Sequence, residues 1–431
     1  MSRAQCRWFV GCVVGCLSCS AVLAADWPGF RGPQGNGIAD AHAKPALTWD
    51  RETNIAWKVE LSAPGNSSPI IKGQTVYVVS ADIEGRTLTL LALDREAGVE
   101  RWRKSVHDDA PEPTHKTNPY GSPTPAADDL RVVVWYGDAG LHAFAHDGKE
   151  LWTVATPAVR HVWGYGSSPV LHEGRVYLNT GVGEEAFLAA YDAATGTEIW
   201  KTPEVGGTAG TAKGGGWIGA WSTPLVADVH GQTQLLCAQP TRVNAYDPQT
   251  GEILWSVEGI ANLPRGNLVY TSLMMGDDVG VAMGGYNGPA MGFRLGGSGN
   301  VTEKNRLWRN AASNPQRIGS AVVLGDHLYM ANAGPGLLQC LDPRTGEERW
   351  RARPEIGGNF WGSVVHAAGR LYVTNQEGTT LVFAPNPEKL EVLAENRLEE
   401  HCNATPAIAD GDLILRTYQH VYCVRELSPS K

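Results

Sequence analysis

The side chains best suited to recognition fall in short segments just ahead of a Ser/Thr-Pro step or its equivalent. They are His115, Asn118 and Tyr120; Trp163 and Tyr165; Trp217 and Trp221; Tyr270; Arg317; Asn359 and Trp361; and His401. Aromatic rings give contact area, while amides, imidazoles and a guanidinium give orientation. That mixture suits a planar or sugar-like ligand, or an extended peptide. Side chains that only plug a channel would have the same composition, so the residue types alone leave both readings open.

Catalytic patterns are harder to find. No Gly-x-Ser-x-Gly elbow stands in a strand-to-helix context, and the Gly284-Gly285 and Gly296-Gly297 pairs do not open a helix that could cradle phosphate. The acidic pairs Asp108-Asp109, Asp128-Asp129 and Asp277-Asp278 fall in inferred turns, where solvated loop charges are the simpler reading. His107, His115, His161 and His401 share no ligand spacing on one element, and no Cys-x-x-Cys or Cys/His cluster has zinc spacing. No catalytic residue and no metal ligand is expected.

Something must bring those recognition segments together, and an internal repeat does it. Tyr191-Asp192-Ala193-Ala194-Thr195-Gly196-Thr197-Glu198-Ile199-Trp200 recurs from Tyr246 to Trp255 and from Leu341 to Trp350, with looser copies from Leu93 to Trp102 and from Phe144 to Trp152. The closing tryptophans are Trp57, Trp102, Trp152, Trp200, Trp255, Trp308 and Trp350, at spacings of 45, 50, 48, 55, 53 and 42 residues. A period near about 50 is that of a four-stranded unit. Each unit opens at a Ser/Thr-Pro such as Ser68-Pro69, Thr124-Pro125, Ser168-Pro169, Thr223-Pro224 or Thr405-Pro406, then runs through a Gly or Asp turn, a β-rich run, and the Asp-x-x-Thr-Gly turn into the Trp strand. Aspartate caps the turn and glycine takes its positive φ, which fixes hairpin register. The Trp is too large for its own sheet to cover and needs a neighbour, so the sheets must stack radially.

The fold class expected is therefore all-β: an eight-bladed β-propeller of four-stranded antiparallel blades. The last unit, Asn403 to Val424, holds only three strands, and an orphan strand, Asn54 to Val59, precedes the first. Pairing the two closes the ring and removes both edges. Seven blades with irregular ends is the competing count. The segments before each unit then crowd one ring face around the axis as a funnel, and Trp57, Trp102, Trp152, Trp200, Trp255, Trp308 and Trp350 serve as structural docking residues.

Composition agrees. With 51 Gly and 26 Pro among 431 residues, a helical protein is excluded. The formal charge of −9 argues against a nucleic-acid partner. Residues 1–25 read as a secretion signal: Arg3 and Arg7, an apolar stretch, then Val22-Leu23-Ala24 before Ala25. Its removal takes both arginines and no acid, so −9 becomes −11. Val13-Val14-Gly15-Cys16 resembles a lipobox, so membrane attachment is expected only if Cys16 is acylated. Residues 26–53 form an irregular strap anchored by Trp27 and Phe30, and residues 54–431 the propeller. Of the cysteines outside the signal, Cys402 and Cys423 are near enough in sequence to pair, while Cys237 and Cys340 read as buried thiols.

The Ala-x-Asp-x-x-Thr-Gly-x-x-x-Trp pattern, Ala190 to Trp200 and Ala245 to Trp255, resembles the tryptophan-docking motif of the quinoprotein (pyrroloquinoline quinone) dehydrogenase propellers, which their non-enzymatic BamB-like relatives share. The resemblance covers residues 54–424 and implies eight blades. A Trp-Pro-x-Phe-Arg-Gly opening like Trp27 to Gly32 accompanies exported bacterial proteins of this repeat type. The alcohol-oxidising members carry a vicinal disulfide and a Glu/Asn/Asp set that holds calcium. This chain has no Cys-Cys pair, and only Trp217, behind its triple glycine, is similar to the family's cofactor-floor tryptophan. The resemblance therefore points to the non-enzymatic branch: an exported, monomeric binding or scaffolding module of the periplasm or extracellular space. Its partner is an envelope protein or a small planar or sugar-like ligand, and it needs no cofactor. A dehydrogenase or quinone carrier using pyrroloquinoline quinone with calcium is the alternative.

Overall fold

The repeated turn closes as its residue types require. In blade 1, Asp94 Oδ1 accepts from the N–H groups of Glu96 (3.0 Å) and Ala97 (2.8 Å), and the Gly98 N–H returns to the Asp94 carbonyl (2.8 Å) with φ of 70°. Asp192, Asp247 and Asp342 cap their turns in the same way. These contacts come from a computed structural model that describes residues 25–158, 160–206, 217–262, 266–310 and 314–427. Residues 1–24 of the segment read as a signal, with Cys16, lie outside the described residues, as does the triple glycine before Trp217.

Each turn joins the third and fourth strands of an antiparallel sheet, and eight such sheets follow one another around an axis. Blades 1 to 7 occupy residues 70–107, 126–154, 170–203, 225–258, 274–309, 322–352 and 365–397. Blade 8 takes three strands from residues 407–424 and its fourth from the other end of the chain. Ile55–Glu60 lies antiparallel to His420–Val424, with Trp57 opposite Cys423 and Glu60 opposite His420. The ring is closed with eight blades, as expected, and the seven-blade count is set aside. Helix is confined, among the described residues, to single turns at Gly137–Ala139 and Thr302–Asn305.

The tryptophans stitch blade to blade. Trp57, Trp102, Trp152, Trp200, Trp308 and Trp350 donate from Nε1 to carbonyls of Arg95, His146, Ala193, Pro248, Pro343 and Asn386 in the following blade, at 2.8–3.1 Å. Under five of these indoles lies the turn glycine of that next blade, Gly98, Gly148, Gly196, Gly251 or Gly346, where a Cβ would stand 2.4–3.0 Å from ring atoms. Trp255 departs from the pattern. Blade 5 lacks the Asp-x-x-Thr-Gly turn, so no carbonyl is offered; Trp255 donates instead to Gln234 Oε1 of its own sheet (2.9 Å) and packs on Phe293 at 6.1 Å.

A second circle runs nearer the axis. One Ser or Thr precedes each innermost strand, and the N–H of each donates to the hydroxyl of the next. The order is Ser68, Thr124, Ser168, Thr223, Ser272, Ser320, Ser363, Thr405 and back to Ser68, at 2.9–3.0 Å. This satisfies backbone donors that would otherwise be buried without partners.

Residues 25–53 cross one ring face. Trp27 exchanges two backbone bonds with Ile71 of blade 1, and Pro28 O accepts from Ala127 of blade 2. Arg31 Nη2 then reaches Ala321 O beside blade 6, Gly37 and Ala39 bond His366 of blade 7, and Lys44 N–H donates to Asp410 O of blade 8. The strap so spans the ring and leaves a cavity of about 850 Å³ between itself and the inner strands of blades 2 to 6. Phe30 borders that space. The pairing considered for Cys402 and Cys423 is not formed: all four described cysteines are free and buried, with Cys402 Sγ 3.1 Å from Arg416 O and Cys423 Sγ directed to Asp412 Oδ1.

Candidate functional site

On the ring face opposite the strap, the segments that feed the innermost strands surround an axial cavity of about 330 Å³. His115, Asn118, Trp163, Trp221, Tyr270 and Trp361 line it. One wall is aromatic. Trp163 meets Trp217 edge-on (4.3 Å, 76°) and Tyr270 at 81°, while Trp221 leans on Tyr270 at 5.4 Å. These rings are held from behind. Trp221 donates from Nε1 to Gly164 O (2.9 Å), and the buried His161 stands T-shaped against Trp221 at 4.9 Å. Burial pushes the His161 imidazole down to about 4, so it is neutral at pH 7.

The other wall is a chain of amides. Asn118 Nδ2 donates to the carbonyls of Trp163 (2.7 Å) and Tyr165 (2.9 Å), which ties this wall to the aromatic one. Asn66 donates to Thr117 O and Asn118 Oδ1, and accepts from Asn403 Nδ2 (3.1 Å) and the Tyr418 hydroxyl (3.3 Å). His115 is oriented by its Nδ1 contact with Thr117 Oγ1 at 2.7 Å. The floor is the hydroxyl circle, with Ser68, Thr124, Ser168, Thr223, Ser363 and Thr405 all reaching the cavity, together with Phe30 from the strap.

Several residues expected in the funnel are placed elsewhere. Tyr120 turns outward against Gly85 and donates to Glu112 O (2.9 Å). Tyr165 is buried between blades 2 and 3 against Trp135 at 5.1 Å. Arg317 is 2% exposed, and burial lowers its guanidinium to about 10. Asn359 uses its carbonyl to accept from Gln376 N–H (2.8 Å) outside the cavity, and His401 packs tilted (60°) against Tyr418 at 4.4 Å on the exposed rim of blades 7 and 8. The connections are too long for every residue in them to face the axis. Trp217 joins the aromatic cluster from an element the repeat did not announce: Trp217–Ala220 pairs in parallel with Gly266–Val269, outside the blades.

Other lining residues come from positions the motif reading passed over. Tyr286 packs near-parallel to Trp163 (22°) from a turn inside blade 5. Asn66 sits in the connection that enters blade 1, Gln316 in the one that enters blade 6. Ser272, Ser320 and Ser363 lack the following proline that marked the other openings; Ser363 also borders the cavity, whereas Ser272 and Ser320 belong to the hydroxyl circle but not to the cavity border. Their signal was spacing alone, 49, 48 and 43 residues from the preceding circle member.

The lining was tested for a calcium-bound quinone. No carboxylate, lysine or arginine is among the residues that border the cavity, and no cluster of three or more metal-ligating side chains occurs among the described residues. A calcium ion prefers several oxygen ligands with carboxylates among them. Hydroxyls and mutually satisfied amides do not supply that set, so the residues present do not fit the metal-bound cofactor.

The family model described as outer membrane protein assembly factor BamB matches residues 32–118, 86–352 and 334–427, and the chain belongs to that family of quinoprotein-like repeat propellers. No curated protein matches the sequence. Among solved structures, BamB from Moraxella catarrhalis is similar with a TM-score of 0.61 at 14% identity, over 86% of this chain and 99% of that one. Quinohemoprotein alcohol dehydrogenase from Comamonas testosteroni is similar with a TM-score of 0.67 at 14% identity, over 94% of this chain and 81% of that one. At such identities the likeness is one of fold.

Proposed function

We propose that this chain is an exported, non-catalytic propeller that acts as a binding or scaffolding module of the cell envelope, with the axial cavity as its recognition surface. The observation that carries the reading is the make-up of that cavity: rings on one wall, amides on the other, hydroxyls below, and no carboxylate along its border. Such a lining binds and orients. Membership of the BamB-described family supports a protein-binding role in the envelope, and the signal-like residues 1–25 support export. No helix among the described residues is long and apolar enough to cross a membrane.

A quinone-dependent dehydrogenase is the second reading, favoured by the overall likeness to the alcohol dehydrogenase. One experiment separates them. Purified mature protein is mixed with pyrroloquinoline quinone and calcium, and quinone absorbance and dye reduction are followed with alcohols and sugars. No turnover is expected; stoichiometric quinone uptake with turnover overturns the binding-module reading. In pull-downs from envelope extract, a partner retained by the native protein and lost with Trp361→Ala places recognition at the cavity.

A further inference from the structure

We propose that the axial cavity holds one or two rings of a neutral saccharide, an inference that rests on the binding-module reading above. Charge is the first argument. Apart from the imidazole of His115, no acid or base other than tyrosine borders the cavity, so nothing there compensates an ionised ligand.

Ring geometry is the second. A flat aromatic ligand wants two parallel faces, separated by two van der Waals contacts of about 3.5 Å each. Of the rings that border the cavity, Trp163 meets Tyr270 at 81°, and the near-parallel Trp163 and Tyr286 have centroids only 6.2 Å apart. Steeply angled rings form a corner, which suits a puckered, saturated ring that presents C–H bonds on its face and hydroxyls at its edge.

Hydroxyl chemistry is the third. Each of the eight circle hydroxyls accepts a backbone N–H, and none donates to a protein acceptor among the described residues. All are at most 5% exposed. Six of them border the cavity, so they present donor protons that lack acceptors to whatever enters it. A buried donor without an acceptor is costly. A polyol, whose oxygens accept and donate at once, answers that pattern better than an apolar or purely anionic group. The volume of about 330 Å³ lies at the small end of ligand sites, which limits the occupant to a small unit.

The test uses the mature full chain, with its own tryptophan fluorescence and calorimetry as readouts. Cellobiose and N,N′-diacetylchitobiose are the neutral probes, galacturonic acid the charged one and pyrroloquinoline quinone the flat one. A saturable change is expected with at least one neutral disaccharide. Its binding should weaken about tenfold on loss of one packing ring in Trp361→Ala, with Tyr270→Ala as the second variant if the first does not fold. Retention on cellulose or chitin beads, competed by the disaccharide, assigns the sugar to a polymer; disaccharide binding without retention assigns it to free sugar; both support the proposal. Saturation by no neutral saccharide, unchanged binding in both variants, or tighter binding of the quinone overturns it. Envelope-protein capture lost with Trp361→Ala while sugars fail overturns the saccharide alone and leaves the binding module standing. Quinone turnover overturns both.

Discussion

Arg95 shows how much one side chain does for closure. From the first repeated turn it donates through Nε to Asp412 (2.7 Å) and through Nη2 to Asp410 (2.9 Å) and Ala409 O (2.9 Å), all in blade 8. Arg425 adds a bond to the other oxygen of Asp412 (2.6 Å) and one to Glu96 (2.7 Å). The side chains of Arg95 and Asp412 are each 6% exposed. Loss of Arg95 removes the buried partner of Asp412 Oδ2, Asp410 and Ala409 O and leaves Arg425 as the cation on Asp412, so Arg95→Ala should cost about 3 kcal/mol in urea denaturation, the low end for a broken buried pair. Arg425→Ala, at a side chain 24% exposed with Arg95 still in place, should cost clearly less. His161 makes a pH prediction. Its folded pKa of about 4 lies below the ordinary histidine value of 6.5, so the unfolded chain binds the extra proton between those values. Stability should therefore be full above pH 6.5 and fall as pH drops toward about 4, by at most about 3 kcal/mol, and His161→Gln should flatten that slope.

The hairpin turn is the element whose logic was most legible beforehand. Asp-x-x-Thr-Gly announced both the register of a sheet and the seat for the preceding Trp, and its absence from blade 5 explains why Trp255 turns to Gln234. Gly196 tests the seat. Its φ is 75° and an added Cβ would lie 2.8 Å from the Trp152 ring, so Gly196→Ala should cost about 2–5 kcal/mol on thermal or chemical unfolding, backbone strain and ring clash together. Gly174 has nearly the same φ, 74°, but nothing within 4 Å, so Gly174→Ala should show only the backbone strain of about 1–2 kcal/mol. A Gly196 penalty no larger than that of Gly174 would remove the seat from the account. Cavity residues were less legible. The segments ahead of the openings supplied His115, Asn118, Trp163, Trp221, Tyr270 and Trp361, but the serines of the openings without proline carry no local mark. Tyr286 comes from within a blade. The parallel pairing of Trp217–Ala220 with Gly266–Val269 joins two connections far apart in sequence, and nothing local encodes which will meet.

For the whole molecule, closure depends on a strand borrowed from the start of the chain. Deleting residues 25–60 should expose an unpaired edge on His420–Val424 and give aggregated protein on size-exclusion chromatography; a monomer with native circular dichroism would contradict the closure argument. The strap has a separate consequence, because Phe30 borders both the axial cavity and the space on the far face and stands between them. Shortening that side chain in Phe30→Ala should therefore enlarge both spaces at once, and a ligand held in the axial cavity should report on a change made in the strap.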